Sequence, residues 1–310
     1  MGSEAYPVTA TVTVDERRRL AVPLSRVESD ELYEAIGFAD DIRARMRAAD
    51  DNAPSVGTAA LDDVVVDELA GLFKPERWND SVARLTLLSH DPSGMRLLSW
   101  FMRAAAITRS RYAEQGIDDV VFRATMGFFP RFLERRRAAY GDIRFDQEFW
   151  APRQIAMTIL RIDELEFEFV GAGEGASYVG VHIPSDARLD GPSLLRTLHA
   201  YRRFVSLQRP VFAGCALRCD SWLLDPSLET MLPSGSRIRL FRSLFEVDGL
   251  QYSDDYKQWL CGRLDVTDAD LPENTSLQRA VKAFVLGGGR MGIGYGALRA
   301  DALRRLEDAQ

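Results

Sequence analysis

The chain has 310 residues, of which 46% are apolar and 27% charged, a balance that suits a soluble globular protein with a large core and argues against disorder, a collagen-like chain or a simple repeat array. At roughly 150 residues per domain the length suggests two ordinary domains. The formal net charge of −7 argues against a nucleic acid as the main partner, because phosphate-backbone binding calls for net basic surface.

No window approaches the ~18 consecutive apolar residues of a membrane span, and the first residues include Glu4 and no apolar signal core. Cys215, Cys219 and Cys261 form an odd, sparse set, unlike a disulfide framework. A cytoplasmic protein with reduced thiols is expected, with neither nucleic acid nor membrane as partner. The lysines are Lys74, Lys257 and Lys282, against 36 arginines, a bias ascribed to genomic composition.

In chain order, Val8 to Val14 alternates as VTATVTV and reads as a short edge strand. Ser29 or Asp30 can cap a helix whose apolar stripe is Leu32, Ile36, Ala39, Ile42 and Met46. Ala59 to Phe73, Ser81 to His90 and Met95 to Tyr112 repeat the helical period, and Val121, Thr125, Phe128 and Phe132 carry it past Pro130. Near Gly141 the texture changes. Leu165 to Val170, Tyr178 to Ile183, Val211 to Arg218, Arg237 to Val247 and Trp259 to Val266 are short and rich in β-branched or aromatic residues, and read as strands. Helices are expected from Pro192 to about Val205 and from Ser276 to Val285, the latter opened by the capping box Thr275-x-x-Gln278. The fold class is therefore α+β or mixed α/β, with a helical domain over residues 1–145 and a mixed-sheet domain over 146–310.

Two glycine patterns mimic a dinucleotide fingerprint, but neither runs from strand into helix as that site requires. Gly171-x-Gly173-x-x-Ala176 leads into a strand and reads as a hairpin loop, whereas Gly287-x-Gly289-x-x-Gly292 follows a helix and reads as its C-cap. A better phosphate cradle is VGVHIPSDARLDGPSLLR, which has the order strand, loop, helix. With Gly191 as cap and Pro192 in the first turn, the amides of Gly191, Ser193 and Leu194 are expected to lack internal acceptors and to attract an anion, with Arg188 and Arg196 beside them.

Of the histidines, His90 and His199 read as structural, while His182 stands at the C-terminal end of its strand, just before Pro184, where open α/β sheets place ligands. Cys215 and Cys219 share a strand face with Ser221, and Arg218 and Asp220 share the other. The C-x₃-C spacing has no second ligand pair, so no metal is expected. Cys215 reads as core packing.

The segments VHIPSDARLDGPSL, CDSWLLDPSLETMLPSGSRIRLFRSLFEV and LPENTSLQRAVKAFVLGGGRMGIGYGAL together resemble a bacterial family of GNAT-like acyltransferases, with a helical acyltransferase N-terminal domain ahead of a GNAT-like C-terminal domain. The resemblance implies that Tyr178 to Ile183 is the superfamily's fourth strand, Ser185 to Gly191 its pyrophosphate loop and Val211 to Ser221 its fifth strand, with acyl-CoA lying where the two strands splay. The loop reads SDARLDG where the superfamily pattern is Q/R-x-x-G-x-G/A; Arg188 and Gly191 fit, and Ser193 replaces the last small residue.

The resemblance implies direct transfer of an acyl group from the co-substrate acyl-CoA to a small-molecule amine or hydroxyl acceptor; whether the chain forms a homo-oligomer is left open. Arg188, Gly191, Ser193, Leu194 and Arg196 are the candidate cofactor-binding residues. Among candidate catalytic residues, His182 is the base, Cys219 or Ser221 donates to the leaving thiolate, and Asp220 orients the acceptor or the histidine. Two other readings compete: a non-catalytic binding protein of the same shape, and a cysteine-dependent thioester hydrolase using Cys219 with His182.

Overall fold

The computed structural model describes residues 11–51, 61–171 and 177–308. Contacts divide the chain into two compact units, Met1–Arg161 and Ile162–Gln310.

The first unit is helical: α1 (Val14–Ala21), α2 (Arg26–Ile36), α3 (Asp40–Asp51), α4 (Asp63–Gly71), α5 (Trp78–Ser89), α6 (Met95–Glu114), α7 (Asp119–Met126), α8 (Phe128–Tyr140) and the short α9 (Pro152–Ile155). The long helix α6 is buried along most of its length and packs against α3, α7, α1, α4, α5 and α9. Three buried arginines on it carry the polar load. Arg96 donates to the carbonyls of Ala49 and Ser89 near the ends of α3 and α5, Arg103 to those of Leu20 and Ala21 at the end of α1, and Arg111 to both carboxylate oxygens of Glu16. Carbonyls at helix C-termini lack intrahelical donors, and a cation there also suits the helix dipole.

Two expectations are corrected in this unit. The expected strand Val8 to Val14 begins outside the described residues, and its described end is a helix start: Thr13 caps α1 in a capping box with Glu16. The stripe from Leu32 to Met46 is two helices, not one, capped by Ser25 and interrupted where Gly37 adopts φ 90°. The first residues of the expected helix from Ala59 lie outside the described residues.

The strands form a six-stranded mixed sheet, in the order β1-β2-β3-β4-β6-β5: β1 (Ile159–Ile162), β2 (Leu165–Val170), β3 (Tyr178–His182), β4 (Ala216–Ser221), β5 (Phe245–Tyr252) and β6 (Gly292–Leu298). Between β3 and β4 runs α10 (Gly191–Gln208), as the parallel crossover requires. Leu165, Phe167 and Phe169 of β2 face it; Phe167 stacks on Tyr201 at 4.3 Å and Phe169 meets Phe212 edge-on at 5.2 Å. After β4 come α11 (Leu228–Met231), α12 (Arg237–Ser243), α13 (Asp255–Cys261) and α14 (Ser276–Leu286), and α15 (Ala302–Asp308) returns to pack on α10.

Three strand expectations fail in part. Within Val211 to Arg218, Phe212 closes a 3₁₀ turn and β4 begins only at Ala216, which leaves Cys215 half-buried ahead of the strand. The apolar run from Arg237 splits into α12 and β5, and Trp259 to Val266 contains the end of α13 and no strand. β1 has no counterpart among the expected strands. The capping box Thr275/Gln278 and the helix end at Gly287 are present as expected.

One face of β6 is made of Gly292, Gly294 and Gly296, and against it lies the 3₁₀ turn Trp222–Leu224. A Cβ on Gly294 would stand 2.7 Å from the Leu224 carbonyl oxygen, a clash with backbone that no rotamer relieves. Gly294→Ala should therefore cost about 1–3 kcal/mol, whereas Gly235→Ala, where an added Cβ would meet nothing within 4 Å, should stay within about 0.5 kcal/mol. Urea unfolding followed by circular dichroism checks this; equal midpoints would show that the contact is soft.

Candidate functional site

The sheet splits between β3 and β4. On its outer side β3 pairs with β2 along its whole length, from Val170↔Tyr178 to Glu166↔His182. On its inner side it pairs with β4 only at Tyr178↔Ala216, Val179↔Leu217 and Gly180↔Arg218. β4 meanwhile continues along β6 to Ser221↔Gly294. Beyond Gly180 and Arg218 the two strands run on as separate arms, so backbone edges that a closed sheet would join border a cleft.

Alternation along the strands assigns side chains to the two faces. Val179, Val181, Leu217, Cys219 and Ser221 face α10; Glu166, Glu168, Gly180, His182, Arg218 and Asp220 face the other way. His182 Nε2 lies 2.8 Å from Glu168 Oε2, with the histidine side chain 32% exposed and the glutamate 9%. An ionised carboxylate only accepts, so the histidine's Nε2–H is the donor in this pair. Gly180 makes room for this contact, since a Cβ there would stand 3.3 Å from His182 Nε2 and 3.4 Å from Glu168 Cβ. Glu168 is the residue that sequence reasoning missed. Its signal was the alternation LEFEFV, which places two carboxylates on the face that His182 shares.

The remaining catalytic candidates divide. Asp220 is exposed on the face of His182. Cys219 is 1% exposed on the opposite face, and burial pushes its thiol pKa well above the ordinary range. The pairing of Cys219 as nucleophile with His182 as base that the competing hydrolase reading needs is therefore not formed. Ser221 Oγ accepts from the Leu223 amide at 3.1 Å, capping the turn Trp222–Leu224.

At the helix start after β3, the Ser193 and Leu194 amides already have internal acceptors, which corrects a second expectation. Asp190, not Gly191, caps α10: its carboxylate accepts from the Ser193 amide at 2.9 Å and its carbonyl from the Leu194 amide at 3.0 Å. The hydrogen bond from Ser193 holds the Asp190 carboxyl below its usual range. Ser193 and Leu194 are themselves buried. Arg188 donates from its amide and its guanidinium to Glu164, at 2.9 and 2.8 Å, and Arg196 donates to Asp163 at 2.8 Å and to Glu164 at 3.3 Å. The buried carboxylate of Glu164 and the left-handed Asp163 (φ 55°) form the turn between β1 and β2.

Two domain families match in sequence, the N-acyltransferase N-terminal domain over residues 27–157 and the GNAT-like C-terminal domain over 159–298. The chain belongs to the GNAT-like acyltransferase family. No curated protein matched. Among solved structures, an acyltransferase in complex with CoA and 10C-teicoplanin is 20% identical with a TM-score of 0.71, covering 92% of this chain and 94% of that one. An acyltransferase in complex with decanoyl-CoA is 18% identical with a TM-score of 0.72, covering 92% and 93%. Another, in complex with decanoyl-CoA and teicoplanin, is 21% identical with a TM-score of 0.68, covering 92% and 94%. At these identities the likeness establishes the fold.

The split lies between the two strands that the resemblance assigned as fourth and fifth, and the loop carries its own anion, Asp190, at the helix start. Among the described residues no group of three or more His, Cys, Asp or Glu side chains could hold a metal ion, and no helix is long and apolar enough to cross a membrane. The thiol geometry gives a direct check. Under native conditions at pH 8, iodoacetamide should label the half-buried Cys215 and Cys261 at least about tenfold faster than Cys219, because both burial and a raised pKa suppress the thiolate. Peptide mass spectrometry showing Cys219 labelled first would contradict this placement.

Proposed function

We propose that this chain is an acyl-CoA-dependent acyltransferase that passes the acyl group directly to an amine or hydroxyl of a small-molecule acceptor. The split between β3 and β4 carries the reading. An extended ligand with amide groups can lie between the arms like a strand, bonding to the edges where the ladder stops, and the pantetheine arm of CoA has that chemistry. The fold shared with acyltransferases solved with CoA, decanoyl-CoA and teicoplanin supports it.

His182 at the end of one arm is suited to take the acceptor's proton, held in one orientation by Glu168. As that proton leaves, the lone pair of the neutral amine or of the hydroxyl attacks the thioester carbonyl carbon, amides of the arms donate to the developing oxyanion, and the carbon–sulfur bond breaks as the carbonyl re-forms. The departing thiolate takes a proton from water, directly or through the Ser221 hydroxyl, which regains one from water in the same step, while His182 passes the acceptor's proton to solvent. Asp220, on the same face as His182, is suited to orient a cationic or hydroxylated acceptor. Cys219 has no chemical role in this scheme.

The CoA pyrophosphate is assigned to the loop from Arg188 to Ser193, with Gly191 and Arg196 at its edge. There it has to replace the Asp190 carboxylate on the Ser193 amide and compete with Glu164 for Arg188 and Arg196. The internally bonded helix start also favours a second reading, a binding protein without turnover, which an activity assay separates.

Isothermal titration and turnover assays with an acyl-CoA series and a panel of small amines test the proposal. His182→Ala should leave acyl-CoA affinity nearly unchanged and lower turnover by roughly 10²-fold or more, while Cys219→Ala keeps most of the activity. Full activity in His182→Ala would remove the histidine from the mechanism.

A second measurement concerns the loop. Asp190→Asn keeps an equally good cap and removes the competing anion, so it should tighten acyl-CoA binding by about three- to tenfold, more at low salt; Arg188→Glu should weaken it. If neither change alters affinity, the phosphates bind elsewhere.

A further inference from the structure

On the α10 side of the split lies a small apolar cavity. Val181, on the arm of β3 past the last rung, and Leu217, on the last rungs of β4, both border it, so it lies behind the split. Leu194 and Leu198 of α10 line it, as do Phe241 of α12 and Leu244 just after that helix. The described lining is apolar throughout, and only ≈ 10 Å³ is open to the centre of a water molecule.

We infer that this cavity receives the acyl group of the donor, and that Phe241 and Leu244 limit that group to a short, unsubstituted chain of about two or three carbons. The inference rests on the acyl-CoA reading above and goes on to name the donor class. Its first support is position: a thioester held between the arms has the cavity immediately beneath it on the face away from His182, so the hydrocarbon end and the acceptor approach from opposite sides of the sheet.

Its second support is chemistry. A lining without polar atoms gives a carboxyl- or hydroxyl-bearing acyl group nothing to bond to in exchange for its hydration, so malonyl and succinyl groups are disfavoured. The third is size. A space of about 10–15 Å³ on this measure holds one water-sized group, which corresponds to the methyl end of an acetyl or propionyl chain. A longer chain would have to displace Phe241, which is 1% exposed and has its ring 5.0 Å from that of Phe245, and a close-packed core resists such insertion.

The test is kcat/KM and Kd across acetyl-, propionyl-, butyryl-, hexanoyl-, octanoyl-, decanoyl- and malonyl-CoA, with an acceptor from the amine panel. The wild type should prefer acetyl or propionyl, with kcat/KM at least about tenfold lower by hexanoyl and for malonyl. Phe241→Ala should move the optimum up by about four carbons, less whatever the site collapses. Phe241→Leu, a milder change that keeps the core filled, should move it by about one carbon, and Leu217→Phe should restrict it to acetyl. The readout is the ratio of long to short donors within each variant, which a merely destabilised fold does not shift in this direction.

A wild type that prefers octanoyl or decanoyl, or a Phe241→Ala profile unchanged in shape, overturns the inference while leaving acyl-CoA transfer intact. No binding and no turnover of any acyl-CoA by any variant overturns the acyl-CoA reading and this inference together.

Discussion

An inner strand of a sheet normally bonds its backbone to both neighbours, because a peptide group withdrawn from water without a partner costs free energy. The GNAT-like unit is organised around one place where that rule is suspended. If the ladder between β3 and β4 continued in register past Gly180 and Arg218, Val181 would meet Cys219 and His182 would meet Asp220. The sheet would close over the cleft. The ladder stops there instead, while each arm stays paired on its other side, β3 to β2 as far as His182 and β4 to β6 as far as Ser221. The crossover helix α10, held to β2 by the Phe167–Tyr201 stack, lies on one face, and the polar pair His182–Glu168 on the other.

Where local pattern and tertiary environment agree, the sequence can be read directly. Leu165 to Val170 alternates cleanly and is β2; Thr275 and Gln278 announce α14. Arg237 to Val247 misleads because its apolar residues serve two elements in succession: Phe241 packs as part of a helix and Phe245 as part of a strand, and Ser236 supplies the cap that separates α12 from the preceding loop. Thr13 misleads in the opposite sense. A β-branched run reads as a strand, yet its threonine is followed three residues later by Glu16, the spacing of a capping box. At the site, His182 is legible from alternation and from Pro184. Glu168 is not, because a carboxylate alternating with phenylalanines looks like a solvated face until the strand is known to lie inside a sheet.

Charge at the loop shows the same dependence on partners that are distant in sequence. Arg188 and Arg196 read as free cations beside a helix start, and Asp190 as one loop residue among several. In the fold, Glu164 from the turn before β2 reaches both arginines and Asp190 occupies the helix start. The five charges of Asp163, Glu164, Arg188, Asp190 and Arg196 leave a net of about −1 before any ligand arrives. A phosphorylated ligand at this loop exchanges existing ion pairs for new ones, so its affinity reflects a difference between two well-bonded states.

The glycine face of β6 gives the two arms of the cleft unequal compliance. The turn Trp222–Leu224 lies on Gly294 backbone to backbone, and the buried Asp225 accepts from the Gly292 amide at 2.6 Å while also accepting from the amide and hydroxyl of Ser227. The arm of β4 is thereby pinned by a backbone-to-backbone contact and a buried, fully bonded carboxylate, which leave little freedom to absorb a displacement. The arm of β3 is tied to β2 by an ordinary ladder and backed by the side chains of α10, which can change rotamer. Any widening of the cleft therefore falls on β3, and it carries His182 with it while the opposite wall stands as a fixed reference.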